Sequence, residues 1–473
     1  MGNSMQELIN GCIDHLRIGN FLFFLLLPPL FLLSYFSSRL SITGYKLFQV
    51  FIGFIYYLLI LKGNLPALFI FMNLIAINYL LLRNMDLFDN KPSVRKAILI
   101  VAIVINLIPL IMMKDYLPLL KTEPNYFIQI IGLSYFSLNA ISMFVDFYKK
   151  KFRKFFLIDF LLYSIYFPKI FAGPLVRYRE FIRQVNWNYK NKTFNELNLG
   201  VFLLALGIIK KWFADYLFQY SSAIFSNPAG FGGEELFMNI YVYTAYIFLD
   251  FSGYTDIARG TSLLMGINLP ENFRSPYLSK SFREFWRRWH ITLYQWIRDY
   301  VYIDLLGGNR KGKIRTYINI LIAFILSGIW HGNYFNYIIW GFSHGLGVIF
   351  TRDLKEDSRI KRYLMWFLTF NLIAVLWIVF AITDISTLKD YFVTMVTGFN
   401  PVGLASFIVF RTDIVIPLII GFGIAFIDSW LKEKFIVNLP PYRFYAVSSI
   451  LFLIAIFLLN YKVAVSPFLY ESF

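Results

Sequence analysis

Residues 318–332 read INILIAFILSGIWHG. An apolar run of this kind crosses a hydrocarbon core when it approaches about 20 residues, so a helix near 316–331 is expected to traverse most of a membrane and to end on His331. An ionisable side chain at that depth is costly unless it faces a cavity or a partner. Burial with no acid nearby favours the neutral imidazole, which can take a proton from a hydroxyl as a general base. The competing structural reading is a histidine that merely hydrogen-bonds a neighbouring helix.

The rest of the chain agrees with a membrane setting. Of 473 residues, 58% are hydrophobic, 20% aromatic and only 15% charged, and the mean hydropathy is +0.58. A soluble domain carries about 25% charged residues, and a globule of this size has no interior large enough to hide so much apolar surface. A soluble enzyme, a disordered chain and a nucleic-acid-binding module are excluded. The 45 Lys+Arg against 28 Asp+Glu leave a formal charge of +17. These basic residues gather in short loops, Lys149–Lys154, Arg177–Lys192, Arg283–Arg298, Arg310–Arg315 and Arg352–Arg362, which the positive-inside rule places in the cytoplasm. The single cysteine, Cys12, excludes an internal disulfide, a CxxC pair and a cysteine metal cage.

Candidate spans lie near 20–37, 44–62, 65–83, 96–119, 126–146, 155–173, 197–213, 236–251, 316–331, 334–351, 363–382, 412–430 and 443–464. Several are short or interrupted, which predicts about ten to thirteen membrane helices with some re-entrant ones. Residues Phe21–Phe36 read as a first membrane helix rather than a cleavable signal, since Asp14 and Arg17 give no clean basic leader. No self-similar halves stand out, which counts against an inverted-repeat transporter. The chain reads as one membrane domain over 1–473, all-α and polytopic.

The longest non-spanning stretch, 252–315, contains SFREFWRRWHITLYQWIRDY at Ser281–Tyr300. At 100° per residue, Phe282, Phe285, Trp286, Trp289, Leu293, Trp296, Ile297 and Tyr300 share an arc of about 120° while the arginines point elsewhere. That pattern predicts one helix lying in the membrane interface, with His290 at the edge of its apolar arc; a plain interfacial anchor is the bland alternative. His331 and His344 are thirteen residues apart, about 20 Å and on different faces if one helix ran through both, and no metal-binding histidine spacing occurs. Asp256 and Arg259 are spaced for a helical ion pair near Asp250, a structural arrangement first of all. By residues alone, an intramembrane transferase and a transporter both fit.

Several blocks resemble the membrane-bound O-acyltransferase (MBOAT) family, in its bacterial alginate O-acetylase-like branch. They are Phe171-Ala172-Gly173-Pro174-Leu175-Val176-Arg177-Tyr178, Asp250-Phe251-Ser252-Gly253-Tyr254-Thr255-Asp256, Pro270-Glu271-Asn272-Phe273 and Ser275-Pro276-Tyr277. Phe285-Trp286-Arg287-Arg288-Trp289-His290, Arg298-Asp299-Tyr300-Val301-Tyr302-Ile303, Gly307-Gly308-Asn309-Arg310-Lys311-Gly312, Trp330-His331-Gly332 and His344-Gly345 follow in order. The resemblance is closest over 125–350.

It implies a ring of helices around a thin central pore, where a cytoplasmic funnel meets an extracytoplasmic one. His331 matches the proposed catalytic histidine at that junction, and His290 matches its partner across the pore. Trp289, Trp330, Asn333, Arg298, Asp250 and Asp256 are candidates for lining it, with Trp330 and Asn333 as possible oxyanion donors. No cofactor and no metal is implied. The donor would be an acyl thioester, acetyl-coenzyme A, and the acceptor a hydroxyl of an extracytoplasmic polysaccharide, completed with a periplasmic or extracellular acetyltransferase-like partner protein. Membrane lipid is the remaining partner, with no nucleic acid, and the location is a bacterial inner or plasma membrane. The ending Pro467-Phe468-Leu469-Tyr470-Glu471-Ser472-Phe473 fits the branch's F-x-Y-x-x-F motif, in which Tyr470 would relay the acyl group; a frayed apolar tail is the alternative. D-alanyl transfer to teichoic acid uses the same FW-x-RWH and WHG blocks and is the rival within the family. A polysaccharide or lipid transporter is the rival outside it.

Overall fold

In hydrocarbon each backbone polar group must be satisfied within its own segment, and the chain meets that demand with helices. The computed structural model describes residues 21–460 apart from 62–63, 115, 117–129, 131, 170–172, 189–192, 353, 355–357 and 437. Cys12, His15 and the C-terminal motif with Tyr470 lie outside the described residues. Five helices open the described chain: α1 (Phe21–Leu40), α2 (Ile42–Ile60), α3 (Leu65–Leu87), α4 (Pro92–Met113) and α5 (Leu133–Tyr148). A short α6 (Leu157–Ile165) and an amphipathic α7 (Tyr178–Asn188) lead to the two longest helices, α8 (Phe194–Ser226) and α9 (Gly233–Leu264). Next come α10 (Phe282–Arg288), α11 (Ile291–Trp296), a π-helical turn at Ile297–Leu305, and a hairpin of α12 (Lys313–His331) and α13 (Phe335–Phe350). The helices α14 (Arg359–Ala381), α15 (Ile385–Thr397), α16 (Pro401–Phe410), α17 (Thr412–Trp430) and α18 (Pro441–Asn460) complete it.

Among the described residues, eight helices are long and apolar enough to cross a membrane, and the α15–α16 pair, bent by 100°, makes a ninth if taken as one broken span. The sequence pattern predicts about ten to thirteen; part of the difference lies in α5 and α13, which are only 16 residues long, and part in the interior of the bundle. A helix surrounded by protein need not be apolar: α9 buries Asn239, Thr244, Asp250, Ser252, Thr255, Asp256, Thr261 and Ser262. The candidate span near 155–173 is corrected. There α6 stops at Ile165, and a tight turn at Phe167–Lys169 carries Pro168, which bars a continuing helix. The chain then returns to the side it came from.

That side is fixed by charge. Arg95 at the start of α4 binds Asp89 at 2.6 Å and donates to Phe147 O at the end of α5 at 3.0 Å. Lys149 pairs with Asp304, and Arg177 with Asp299 at 3.2 Å. One face therefore collects the predicted basic loops and is the cytoplasmic face.

The centre of the bundle is the α8–α9 pair, which glycines draw together. A Cβ at Gly207 would stand 2.6 Å from Gly253 O, and one at Gly260 would stand 2.7 Å from Gly200 O. Each helix carries its two glycines seven residues apart, so both contacts fall on one face, two turns apart. Such close approach supplies van der Waals contact where lipid offers no hydrophobic drive. It also lets short carboxylates meet lysines across the seam. Lys210 reaches Asp256 at 2.6 Å and Asp428 of α17 at 2.5 Å, and Lys432 reaches Asp256 at 2.7 Å. Lys211 binds Asp215 at 2.7 Å and Asp250 at 2.9 Å. The expected Asp256–Arg259 pair is thus corrected: Arg259 turns to Glu271 at 3.6 Å, because two lysines from other helices reach Asp256 first. Asp250 and Asp256 act as struts among helices.

Removing one member of a buried ion group strands the others, at a cost of about 3–5 kcal/mol. Lys210→Met should therefore lower the thermal midpoint of the detergent-purified protein sharply. Adding Asp428→Asn should recover part of the loss, because the remaining Lys432–Asp256 pair is then balanced. Thermal unfolding followed by size-exclusion chromatography reads both.

Candidate active site

The predicted interfacial helix over Ser281–Tyr300 is in fact two helices meeting at Trp289-His290. Ser281 caps α10 by accepting from the Glu284 amide at 3.1 Å, and the helix ends at Arg288. Trp289 is extended and His290 adopts a left-handed conformation at φ +42°, uncommon for a residue with a side chain and a mark of local constraint. The loop at Asn272–Arg274 supplies that constraint. Its Asn272 carbonyl accepts from the Ile291 amide at 3.0 Å, and Arg274 N donates to Arg288 O at 3.0 Å. The Asn272 side chain takes the Thr292 amide at 3.1 Å and its hydroxyl at 2.7 Å. Periodicity carries no trace of a partner that captures the amides at the break.

The aromatic stripe is also not a lipid anchor. Phe285 is 0% exposed and Trp289 1%. The Trp289 ring packs on Phe273 with centroids 4.9 Å apart and on Trp377 at 4.8 Å. The stripe is a wedge driven into the protein, and the break turns His290 inward.

His331 reaches the same place from the hairpin. The buried face of α12 runs through Thr316, Asn319, Ile320, Ala323, Ser327, Gly328 and His331, a stripe at helical spacing. Its last ring sits in an aromatic box, with centroids 4.8 Å from Trp330, 5.4 Å from Trp340 and 5.0 Å from Phe380. Tyr135 of α5 joins the two histidines. Its hydroxyl lies 3.2 Å from His290 Nε2, and its ring meets Trp330 edge-on at 5.9 Å. Phe251 closes the other side of His290 at 4.8 Å. Both imidazoles are buried, one from a strained break and one from a helix end, in a setting where water competes little for their hydrogen bonds.

His331 and His344 lie on separate helices, as the candidate spans near 316–331 and 334–351 divide them: α12 ends at His331 and α13 runs back beside it. Trp340 stands between them, and His344 Nδ1 accepts from Trp286 Nε1 at 3.1 Å. His344 is a packing residue of the aromatic core. Among the described residues no group of three or more His, Cys, Asp or Glu could hold a metal ion. The Trp330 indole N–H is buried with no hydrogen-bond partner among the described residues, so it is available as a donor, whereas Asn333 lies on the exposed turn after α12. Asp250 precedes Phe251 in sequence but points the other way, to Lys211.

A cavity of about 530 Å³ opens on the cytoplasmic face. Arg283, Arg287, Arg298 and Arg352 rim it, and Trp286, Ile320, Ala323 and Phe324 line it inward as far as Ser327, one turn before His331. Such a cavity can hold a long, thin ligand with an anionic head at the rim and its far end near the histidines. Tyr135 had no signal in sequence: it is one of five aromatic residues in α5, and no motif or spacing sets it apart from Phe136, Phe144, Phe147 and Tyr148. Lys114, which the candidate span near 96–119 passes over without a role, is the residue at which α4 ends, and it too meets the end of α12.

The membrane-bound O-acyltransferase family profile matches residues 93–394, which hold both histidines and the cavity. The chain is 40% identical over 258 residues to the probable alginate O-acetylase of Pseudomonas putida, covering 53% of this chain and 52% of that protein. It is 34% identical over 254 residues to the peptidoglycan O-acetyltransferase of Helicobacter pylori, covering 52% of this chain and 48% of that one. To the teichoic acid D-alanyltransferase of Bacillus subtilis it is 30% identical over 343 residues, covering 69% of this chain and 86% of the relative. The chain thus spans about half the length of the two O-acetylating relatives.

The cavity's orientation is open to direct test, since Cys12 is the one cysteine of the chain. In a Cys12→Ser background, Ser327→Cys should react with a membrane-impermeant maleimide in inverted vesicles, where the cytoplasmic face is outward. In right-side-out vesicles it should stay unlabelled, and labelling there alone would reverse the topology.

Proposed function

The chain belongs to the membrane-bound O-acyltransferase family, and we propose that it moves an acetyl group from a cytoplasmic thioester to hydroxyls of an extracytoplasmic polysaccharide. The observation that carries this reading is the junction itself. Two buried histidines from separate segments converge around Tyr135 and Trp330, one turn beyond the inner end of an arginine-rimmed cytoplasmic cavity. An anionic thioester such as acetyl-coenzyme A would set its phosphates at the rim and thread its acyl end toward His331.

In the proposed reaction His331 accepts the hydroxyl proton as the oxygen attacks the thioester carbonyl. The C–S bond breaks, an ester forms, and the thiolate takes the proton back, so the products are an ester and a free thiol. His290, hydrogen-bonded to Tyr135, supports the second side of the junction. The Trp330 N–H is the available donor to the oxyanion, a kind of contact worth about 10²–10³ in kcat where it has been removed elsewhere. The whole unit over 1–473 is read as one catalytic domain in a bacterial inner membrane. A periplasmic or extracellular partner finishes delivery, with Tyr470 as relay; full transfer by Tyr470→Phe would overturn the relay alone.

A second reading is D-alanyl transfer to teichoic acid, favoured by the long overlap with the Bacillus subtilis relative. The same experiment separates them. Cells carrying the wild-type chain or His331→Ala at matched membrane levels are compared by NMR of the surface polymers. Loss of O-acetyl esters with the polymer still exported is the expected result. Loss of D-alanyl esters would favour the second reading, unchanged esters would remove His331 from catalysis, and failure to export the polymer would favour a transporter. Separately, Arg287→Glu should raise KM for acetyl-coenzyme A about tenfold with little change in kcat, as loss of ground-state binding does.

A further inference from the structure

The last carbonyls of an α-helix have no partner within the helix. A glycine in the left-handed conformation often turns the chain back to satisfy them. At the end of α12 that device is missing, because Gly332 is extended at φ 169° and its N–H reaches only Ile329 O. The carbonyls are met from elsewhere. Lys114, the residue after α4, donates from Nζ to His331 O at 3.1 Å, and the Tyr116 hydroxyl donates to Ile329 O. The same ammonium lies 5.8 Å from the centre of the Trp330 ring. Three consecutive residues, Ile329, Trp330 and His331, are therefore gripped by one short segment that is remote in sequence.

A lysine at the end of a span ordinarily extends to the water interface. This one turns inward to a helix C-terminus, where a positive charge is favourable and a charged donor makes a stronger hydrogen bond than a neutral one.

We propose that Lys114 is a positioning residue for His331, its ammonium acting as a side-chain cap that holds the final turn of α12 and so aims the imidazole at the inner end of the cytoplasmic cavity. This rests on the reading of His331 as the catalytic residue. Burial pushes the Lys114 ammonium down to about 8. The cap is mostly charged below that pH and loses its charge progressively as the pH rises through it, leaving a neutral, weaker donor, so turnover falls on the alkaline side. Among the described residues, the ionisable groups gathered at this corner are His331, with His290 beyond it, and Tyr116, with Tyr337 of α13 and Tyr334 beside it. Burial holds Tyr116 up to about 12, and histidines ordinarily titrate near 6.5. Neither contributes an alkaline limb near pH 8.

The test is thiol release from acetyl-coenzyme A by native membranes carrying the full chain, measured from about pH 6 to about pH 10 against membranes without it. Lys114→Met should lower kcat about tenfold with KM nearly unchanged. Lys114→Arg, charged throughout, should restore most of the rate and abolish the alkaline fall, while His331→Ala is silent at every pH. A Lys114→Met chain with wild-type kcat and the same alkaline limb overturns the positioning role while leaving His331 intact; an active His331→Ala chain overturns the catalytic reading beneath it. If Lys114→Met fails to reach the membrane, the arginine variant decides: an unchanged alkaline fall refutes the proposal, and its disappearance supports it.

Discussion

Inside a bilayer a polar or charged group has no water to fall back on, so its partner must come from the protein. Almost every feature of this molecule follows from that demand. The α8–α9 seam closes at Gly200, Gly207, Gly253 and Gly260 until aspartates on one helix meet lysines on the other. The resulting ion groups tie α8, α9 and α17 together. They let α9, with no exposed residue, carry polar side chains at intervals along its buried length.

The same demand shapes the site. A break within a helix exposes amides and carbonyls, and one at Trp289-His290 survives only because Asn272 and Arg274 take them. A helix that ends at depth exposes carbonyls, and α12 ends at His331 because Lys114 and Tyr116 receive them. Each histidine therefore sits at a point where helix stops, and each stop is supported by a segment distant in sequence. Helix ends inside the bundle are expensive to build, and here each coincides with a buried imidazole. The aromatic residues around them exclude water while leaving the Trp330 N–H unclaimed. The arginine rim and apolar shaft of the cavity then provide a way in from the cytoplasmic face.

Much of this was legible in the residues. The apolar runs located the helices to within a few positions for most spans, because a membrane imposes a length that composition must obey. The basic loops lie where the positive-inside rule assigns a cytoplasmic face. His331 announced itself as an ionisable group closing an apolar run. Where local periodicity was the only guide, it misled. It read Ser281–Tyr300 as one surface helix and Asp256 and Arg259 as a pair. In each case a partner from another part of the chain took the hydrogen bond or charge that the local pattern had assigned to a neighbour.

The sequence by itself therefore determined the membrane setting, the family, the order of the helices and the two histidines worth attention. These depend on composition, spacing and short motifs, which are properties of contiguous residues. Only the tertiary structure decided that Tyr135 joins His290 to the Trp330 side of the site, that Asn272 holds the break, that Asp250 and Asp256 are struts, and that Lys114 meets the end of α12. Those facts are long-range pairings between buried polar groups, and a polar residue within an apolar run does not reveal which distant group will satisfy it.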